Sequence, residues 1–234
     1  MFNFFLNFLF PKKCVGCKKL GTYLCSNCFS FISLNTAFVC PVCTRPSIDG
    51  FTHPVCRTKY SLDGLISCYE YKGVVKSLIY KFKYKPYLSS LKNITGKLFY
   101  EALIQNEFFY NILKEKPILI PIPLHKSKER SRGYNHAQIL LERISKDIRL
   151  PIYPKILFRT KNTKPQFGLK KEERIKNIRG AFALNSNNKI DLRGKTVFLI
   201  DDIATTCTTL SECANVLKRN GAKKVLGLTF ARER

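Results

Sequence analysis

Residues 195–210 read KTVFLIDDIATTCTTL, and the fold of the chain turns on them. Residues 197–200 form a continuous apolar run, the pattern of a strand buried on both faces in a parallel sheet. Asp201 and Asp202 end that strand, and Thr205, Thr206, Thr208 and Thr209 make a hydroxyl-rich turn. Beyond the turn, Leu210, Cys213, Ala214 and Leu217 share one helical face, Gly221 stops the helix, and residues 224–230 read as the next strand. Strand, acidic turn and helix start make half of a doubly wound sheet, whose ligands sit at the carboxyl ends of the strands. A phosphorylated sugar suits such a turn. Amides at the helix start and threonine hydroxyls hold a phosphate, while carboxylates accept hydrogen bonds from vicinal ribose hydroxyls.

At these residues the sequence resembles the type I phosphoribosyltransferases, whose signature is an apolar strand followed by two acids and a threonine- and glycine-rich loop. The resemblance implies an α/β fold with a doubly wound, mostly parallel sheet. It also implies that Asp201 and Asp202 hold the ribose of phosphoribosyl diphosphate, bound with magnesium, and that Thr205, Thr206, Thr208 and Thr209 hold its 5′-phosphate. One position departs from the pattern: Cys207 stands where glycine is usual. A Cβ there hinders close approach of a phosphate to the backbone. The loop then either binds phosphate more weakly or accommodates the side chain with φ below zero.

Upstream, residues 117–138 (PILIPIPLHKSKERSRGYNHAQ) carry a second apolar strand into a basic loop, with a helix expected from Asn135. Lys126, Lys128, Arg130 and Arg132 beside Gly133 suit a second anion site. In the phosphoribosyltransferase pattern pyrophosphate lies here, which makes Lys126, Arg130, Arg132, Gly133 and Asn135 candidate contacts to pyrophosphate or nucleic acid. A solvated basic loop is the alternative.

Seven of the ten cysteines fall between residues 14 and 56. Cys14-x-x-Cys17, Cys25-x-x-Cys28, Cys40-x-x-Cys43 and His53-x-x-Cys56 are four knuckle-like pairs, enough ligands for two tetrahedral zinc sites. Structural zinc also compensates for the small apolar core of so short a segment. Consecutive pairing (Cys14, Cys17, Cys25, Cys28 on one ion; Cys40, Cys43, His53, Cys56 on the other) is the simplest scheme; spacing leaves a cross-braced one open. His53, next to Pro54, also suits a turn. Cys68, Cys207 and Cys213 lack partner spacing and read as packing residues.

With 234 residues, 45% of them hydrophobic and 24% charged, the chain has the composition of a folded protein of one or two domains. The expected division is a double zinc-ribbon module over 1–68 and a phosphoribosyltransferase-like domain over 69–234. The opening FNFFLNFLF is far shorter than the roughly 20 residues needed to span a bilayer, and no charged signal region precedes it. That argues for a cytoplasmic chain with no transmembrane segment, in which reduced cysteines bind metal. Phe2, Phe5, Leu6 and Leu9 share a helical face, so a short docking helix is expected, against the second domain or, peripherally, a membrane partner.

Basic residues number 41 against 16 acidic, a formal charge of +25. Seven basic and 2 acidic residues lie up to Cys68, and 34 and 14 beyond it. Residues 72–97 hold seven lysines and no acid; 124–179 hold sixteen basic residues against five acidic. Such a field attracts polyanions, although a lysine-rich solvated surface in a biased composition has the same charge. Tyr69, Tyr71, Tyr80, Phe82, Tyr84 and Tyr87 interleave with Lys72, Lys76, Lys81, Lys83 and Lys85, the mixture that single-strand binding uses. Val74, Val75, Leu78, Ile79 and Phe82 recur at helical spacing, which assigns Phe82 to the core and leaves Tyr84 and Tyr87 open.

Taken in order, the zinc knuckles, the PIPLHKSKERSRGYNHA stretch, residues 159–182 (RTKNTKPQFGLKKEERIKNIRGAF) and the acidic turn resemble the ComF competence family, from FLFPKKC at residue 8 to the end of the chain. The resemblance implies that Gln166, Arg174 and Asn177 belong to a hood and loop over the sugar site. It implies handling of incoming single-stranded DNA during natural transformation, with phosphoribosyl diphosphate as ligand and DNA-uptake machinery proteins as further candidate partners. An active magnesium-dependent phosphoribosyltransferase of nucleotide metabolism is the alternative. No side chain is identified as a catalyst.

Overall fold

In the computed structural model the described residues are 11–35, 37–84, 89–163, 168–187 and 190–233. Phe2, Phe5, Leu6, Leu9, Lys85, Tyr87 and Gln166, singled out above, lie outside them. The strands are β1 (Gly64–Glu70), β2 (Ile118–Pro121), β3 (Leu157–Arg159), β4 (Phe182–Leu184), β5 (Thr196–Ala204) and β6 (Lys224–Arg232). The main helices are α1 (Gly73–Tyr84), α2 (Ser89–Ile104), α3 (Glu107–Leu113), α4 (Lys126–Arg132), α5 (His136–Ile148), α6 (Lys171–Ile178) and α7 (Thr208–Arg219).

Four strands form one parallel sheet in the order β1-β6-β5-β2, while β3 and β4 pair antiparallel as a separate ribbon. Val197 is fully buried because helices and the β3–β4 ribbon cover both faces of β5, as the uninterrupted apolar run requires. Phe198, Ile200, Leu226, Leu228 and Phe230 face a cluster shared with α1, α2 and α5. Val197, Leu199 and Val225 face the opposite cluster, with Leu210, Cys213, Ala214 and Leu217 of α7. Stacked rings fill the first layer: Phe109 on Phe198 at 5.4 Å and Tyr69 tilted on Phe230 at 5.0 Å, with the Tyr69 hydroxyl donating to Leu98 O at 2.8 Å.

The N-terminal module is fastened to the sheet edge. Phe51 bridges Gly64 and Leu34 bridges Tyr69. Val15 is fully buried in the core cluster that contains α1. The seam expected after Cys68 falls inside β1, because residues 64–67 already pair with β6. Cys68, Cys207 and Cys213 are all buried, as packing residues should be.

Candidate functional site

The first and third knuckles are tight hairpins, whereas the second and fourth are short helical turns, Ser26–Phe29 and Pro54–Cys56. Lys13 bridges Leu20 around the first pair of cysteines and Val39 bridges Pro46 around the third. In both, the residue after the second cysteine, Lys18 or Thr44, is left-handed, and its amide donates to the carbonyl of the first cysteine, at 3.1 and 2.8 Å. A Cβ on Gly16 would lie 2.7 Å from Cys28 Sγ, so only glycine fits between the knuckles of the first group.

Those turns gather Cys14, Cys17, Cys25 and Cys28 in one group and Cys40, Cys43, His53 and Cys56 in another, each with ligand atoms within 4.8 Å of one another. The consecutive scheme is the one the chain folds into. A tetrahedral zinc with bonds of about 2.3 Å sets neighbouring sulfurs about 3.8 Å apart. Cys14 Sγ lies 3.7 Å and Cys17 Sγ 3.6 Å from Cys25 Sγ. His53 Nδ1 faces Cys43 Sγ at 3.4 Å, and Nε2 donates to Pro46 O at 2.9 Å. A carbonyl only accepts, so the proton sits on Nε2 and the Nδ1 lone pair is left for the metal. Both groups therefore fit structural zinc, four protein ligands closing each site.

In the parallel sheet, β5 continues through Asp201 and Asp202 to Ala204, so the acids lie within the strand instead of ending it. Its neighbour β2 ends at the same level, Pro121 opposite Ile200, and the Ile122 amide bonds Ile200 O at 2.9 Å. The segment after β2 therefore emerges beside the acid pair. Asp202 is buried and meets Lys83, near the end of α1, at 2.8 Å. Burial opposes charge on this acid, but Lys83, with a smaller contribution from His136, holds its carboxyl below the usual carboxylate range. Burial and the charge of Asp202 together push Asp201 up to about 8, so the pair holds one proton at neutral pH. His136, in the first turn of α5, is buried; desolvation pushes its pKa down to about 4, which keeps it neutral beside the acids.

The threonine turn has a fixed shape. Thr206 and Thr208 hydroxyls bond at 2.7 Å, and Arg174 of α6 donates to the Thr205 hydroxyl while its Nε donates to Leu169 O at 2.9 Å. The hood residue expected over the turn thus touches it. Cys207 precedes α7 with φ +57°, so of the two alternatives the negative φ is not adopted: the left-handed backbone that glycine usually supplies is retained, and the thiol is buried in the core under the turn.

The expected basic loop is α4, stopped by Gly133 with φ +80°. Asn135 is a cap: its Oδ1 accepts from the Ala137 amide at 3.0 Å and its Nδ2 donates to Ile122 O at 2.9 Å, so its amide is used inside the protein. Lys126, Arg130 and Gly133 line one open cavity with Glu129. Lys128 points instead at Thr163 O, 3.0 Å away, and burial and the nearby Arg159 and Arg132 guanidiniums lower its pKa. Arg159 on β3 donates to Thr163 Oγ1 and lies over Phe182.

Three partners of the site were not singled out from the sequence: Lys83 as the counter-ion of Asp202, His136, and Arg159. Their positions depend on long-range contacts, α1 against the end of β5 and β3 paired with β4, which no local pattern displays.

Residues 130–233 match the phosphoribosyl transferase domain family, and residues 5–59 match the double zinc ribbon domain family. The chain is similar to competence protein ComFC of Bacillus subtilis (strain 168), with 30% identity over 89% of this chain and 84% of that protein. Competence protein F of Haemophilus influenzae is 29% identical over 70% of this chain and 71% of its own length. DNA utilization protein YhgH of Escherichia coli (strain K12) is 24% identical over 86% and 87%.

Proposed function

The chain belongs to the ComF competence family, and from that footing we propose that it handles single-stranded DNA during natural transformation and binds phosphoribosyl diphosphate, with magnesium, at the turn between β5 and α7. The observation that carries the sugar site is the acid pair at the carboxyl end of an inner parallel strand, followed by a threonine turn that Arg174 roofs. Asp202, ionised against Lys83, and Asp201, its protonated neighbour, offer an acceptor and a donor side by side to vicinal ribose hydroxyls. Thr205, Thr206, Thr208 and Thr209 and the start of α7 suit the 5′-phosphate. Lys126, Arg130, Arg132 and the half-buried Lys128 and Arg159 supply positive charge for the pyrophosphate or for a nucleic-acid backbone.

Magnesium would neutralise the diphosphate. The protein's part is to fix the sugar and exclude alternatives, since glycosyl transfer through an oxocarbenium-like state depends on positioning and charge more than on a nucleophile. A magnesium-dependent transferase of nucleotide metabolism is the second reading, favoured by the same turn; release of pyrophosphate in the presence of nucleobases separates it from a chain that only binds.

Two units carry the two chemistries, the zinc ribbons up to about Asp63 and the sheet domain from β1 onward. Among the described residues no helix is long and apolar enough to cross a membrane, in keeping with a cytoplasmic placement next to DNA-uptake proteins. Calorimetric titration with phosphoribosyl diphosphate and magnesium tests the sugar site: saturable binding by the wild type and loss in Asp201→Ala are expected, and no heat from the wild type refutes it. Binding of a labelled single strand that weakens steeply with salt tests the DNA role.

A further inference from the structure

On α1 the positions 76, 80 and 84 follow each other at four-residue steps, and all three side chains are exposed: Lys76, Tyr80 at 60% and Tyr84 at 53%. The opposite face carries the buried Val75, Leu78, Ile79 and Phe82, so the helix has all the apolar anchorage it needs without the two tyrosines. Their rings nonetheless stand together, centroids 5.0 Å apart and planes inclined at 48°. The Arg132 guanidinium, from the last turn of α4, lies 5.4 Å from the Tyr84 centroid. This couples the tyrosine pair to the basic helix of the candidate pyrophosphate site. Residues 72–97 contain seven lysines and no acid, so the rings sit in a cationic field.

Exposed rings side by side are costly in water, and neither is needed for the core. A stripe from Lys76 to Tyr84 rises about 12 Å along the helix, the span of roughly two extended nucleotides. We propose that Tyr80 and Tyr84, extended by Arg132, form a stacking platform for two successive bases of a single-stranded nucleic acid, with Lys76 and the neighbouring lysines on its phosphates. This rests on the DNA-handling reading and specifies which residues carry it. An acidic peptide meets the same charge but has no faces for the two rings; a duplex hides its base faces inside the stack.

The test is fluorescence anisotropy of a labelled oligothymidine on the zinc-loaded full chain, with an oligouridine and a polyglutamate as competing probes. Tyr80→Ala and Tyr84→Ala are each expected to weaken binding about tenfold, while the phenylalanine substitutions retain it. The salt dependence of binding should be unchanged in all four, because no charge is removed. Tyr110→Ala, an exposed tyrosine on α3 with Lys114 5.7 Å from its ring centroid, should bind as the wild type does. Independently of any variant, photocrosslinking of wild type to a halogenated-uracil strand should map to Tyr80 or Tyr84. A wild type that binds while both alanine variants bind equally well, or crosslinks that map elsewhere, overturns the platform and leaves the DNA role standing. No binding by the wild type overturns the DNA role itself. Equal competition by polyglutamate overturns base stacking, and tighter binding of oligouridine overturns DNA as the ligand.

Discussion

Replacing Lys83 by methionine removes the partner of Asp202 while keeping the stem of the side chain. Lys83 and Asp202 lie 2.8 Å apart with side chains 21% and 9% exposed, so the carboxylate loses its cation in a place water hardly reaches. Breaking a buried pair from one side costs about 3–5 kcal/mol, and the partial exposure of Lys83 argues for the lower end, about 3 kcal/mol. In a chain of this size that is a fall in melting temperature of about 6–12 °C. The pH dependence follows from the direction of each shift. The Asp202 carboxyl is held below its usual value, so the pair's contribution is present above about pH 4 and disappears as pH falls through and below that value. Lys83 is desolvated, which opposes its charge, yet Asp202 outweighs burial and raises its pKa; its contribution is present up to its ordinary titration range and is lost only in strong alkali. Melting of zinc-loaded protein by circular dichroism should therefore show the full deficit at pH 7 and a smaller one only well below pH 4. Asp202→Asn in the same background should recover most of it, since the remaining pair is neutral. A Lys83→Met variant that melts with the wild type at pH 7, or a double variant no better than the single, refutes a stabilising buried pair.

Asp201→Asn, which keeps a neutral donor at this position, should raise stability. A carboxyl raised to about 8 in the folded state binds a proton that the unfolded chain has released, so wild-type stability falls as pH rises from about 4 to about 8, and the variant's gain should appear over that window in denaturant titrations. Metal analysis should give two zinc ions per chain; His53→Ala should reduce this to about one, and Cys14→Ser should empty the other group. Gly50→Ala should destabilise by about 2 kcal/mol or more in urea melts, because φ is +78° and the new Cβ would lie 2.1 Å from the Leu65 carbonyl oxygen at the seam between ribbon and sheet.

Signals that live in a few consecutive residues were legible. The apolar run at 197–200, the helical face of Leu210, Cys213, Ala214 and Leu217, and the cysteine spacing all stand as read, since period and ligand spacing are enforced locally by burial and by metal geometry. No local signal marks the seam expected after Cys68, because strand pairing sets it: residues 64–67 are paired with β6, a partner some 160 positions away in the sequence. The basic segment from 126 to 132 reads as a loop because its charges are sequential, with no apolar stripe to reveal the helix that His125 and Gly133 cap.

The candidate site shows why charge alone could not be read residue by residue. Of the lysines in 72–97, Lys83 neutralises an internal acid, Lys72 pairs with Glu70, and Lys92 lies 4.7 Å from the Tyr134 ring centroid. Their sequence surroundings are alike, yet one is the counter-ion of the buried acid pair. What separates them is position along the helix: Lys76 and Lys83, seven residues apart, are nearly in phase, but Lys83 lies at the end of α1, where the last turn reaches the carboxyl end of β5, whereas Lys76 lies two turns earlier, in line with Tyr80 and Tyr84. The same helix therefore brings its last turn to the acid pair while its earlier turns present Lys76 and Tyr80 to solvent. A strand bound on the tyrosine face and a sugar bound at Asp202 would both act on α1, and the two affinities should depend on each other reciprocally if that helix moves. Measuring oligothymidine affinity with and without saturating phosphoribosyl diphosphate and magnesium reads this directly: a changed affinity is expected in the wild type, and the change should vanish in Lys83→Met, where α1 no longer holds the acid pair.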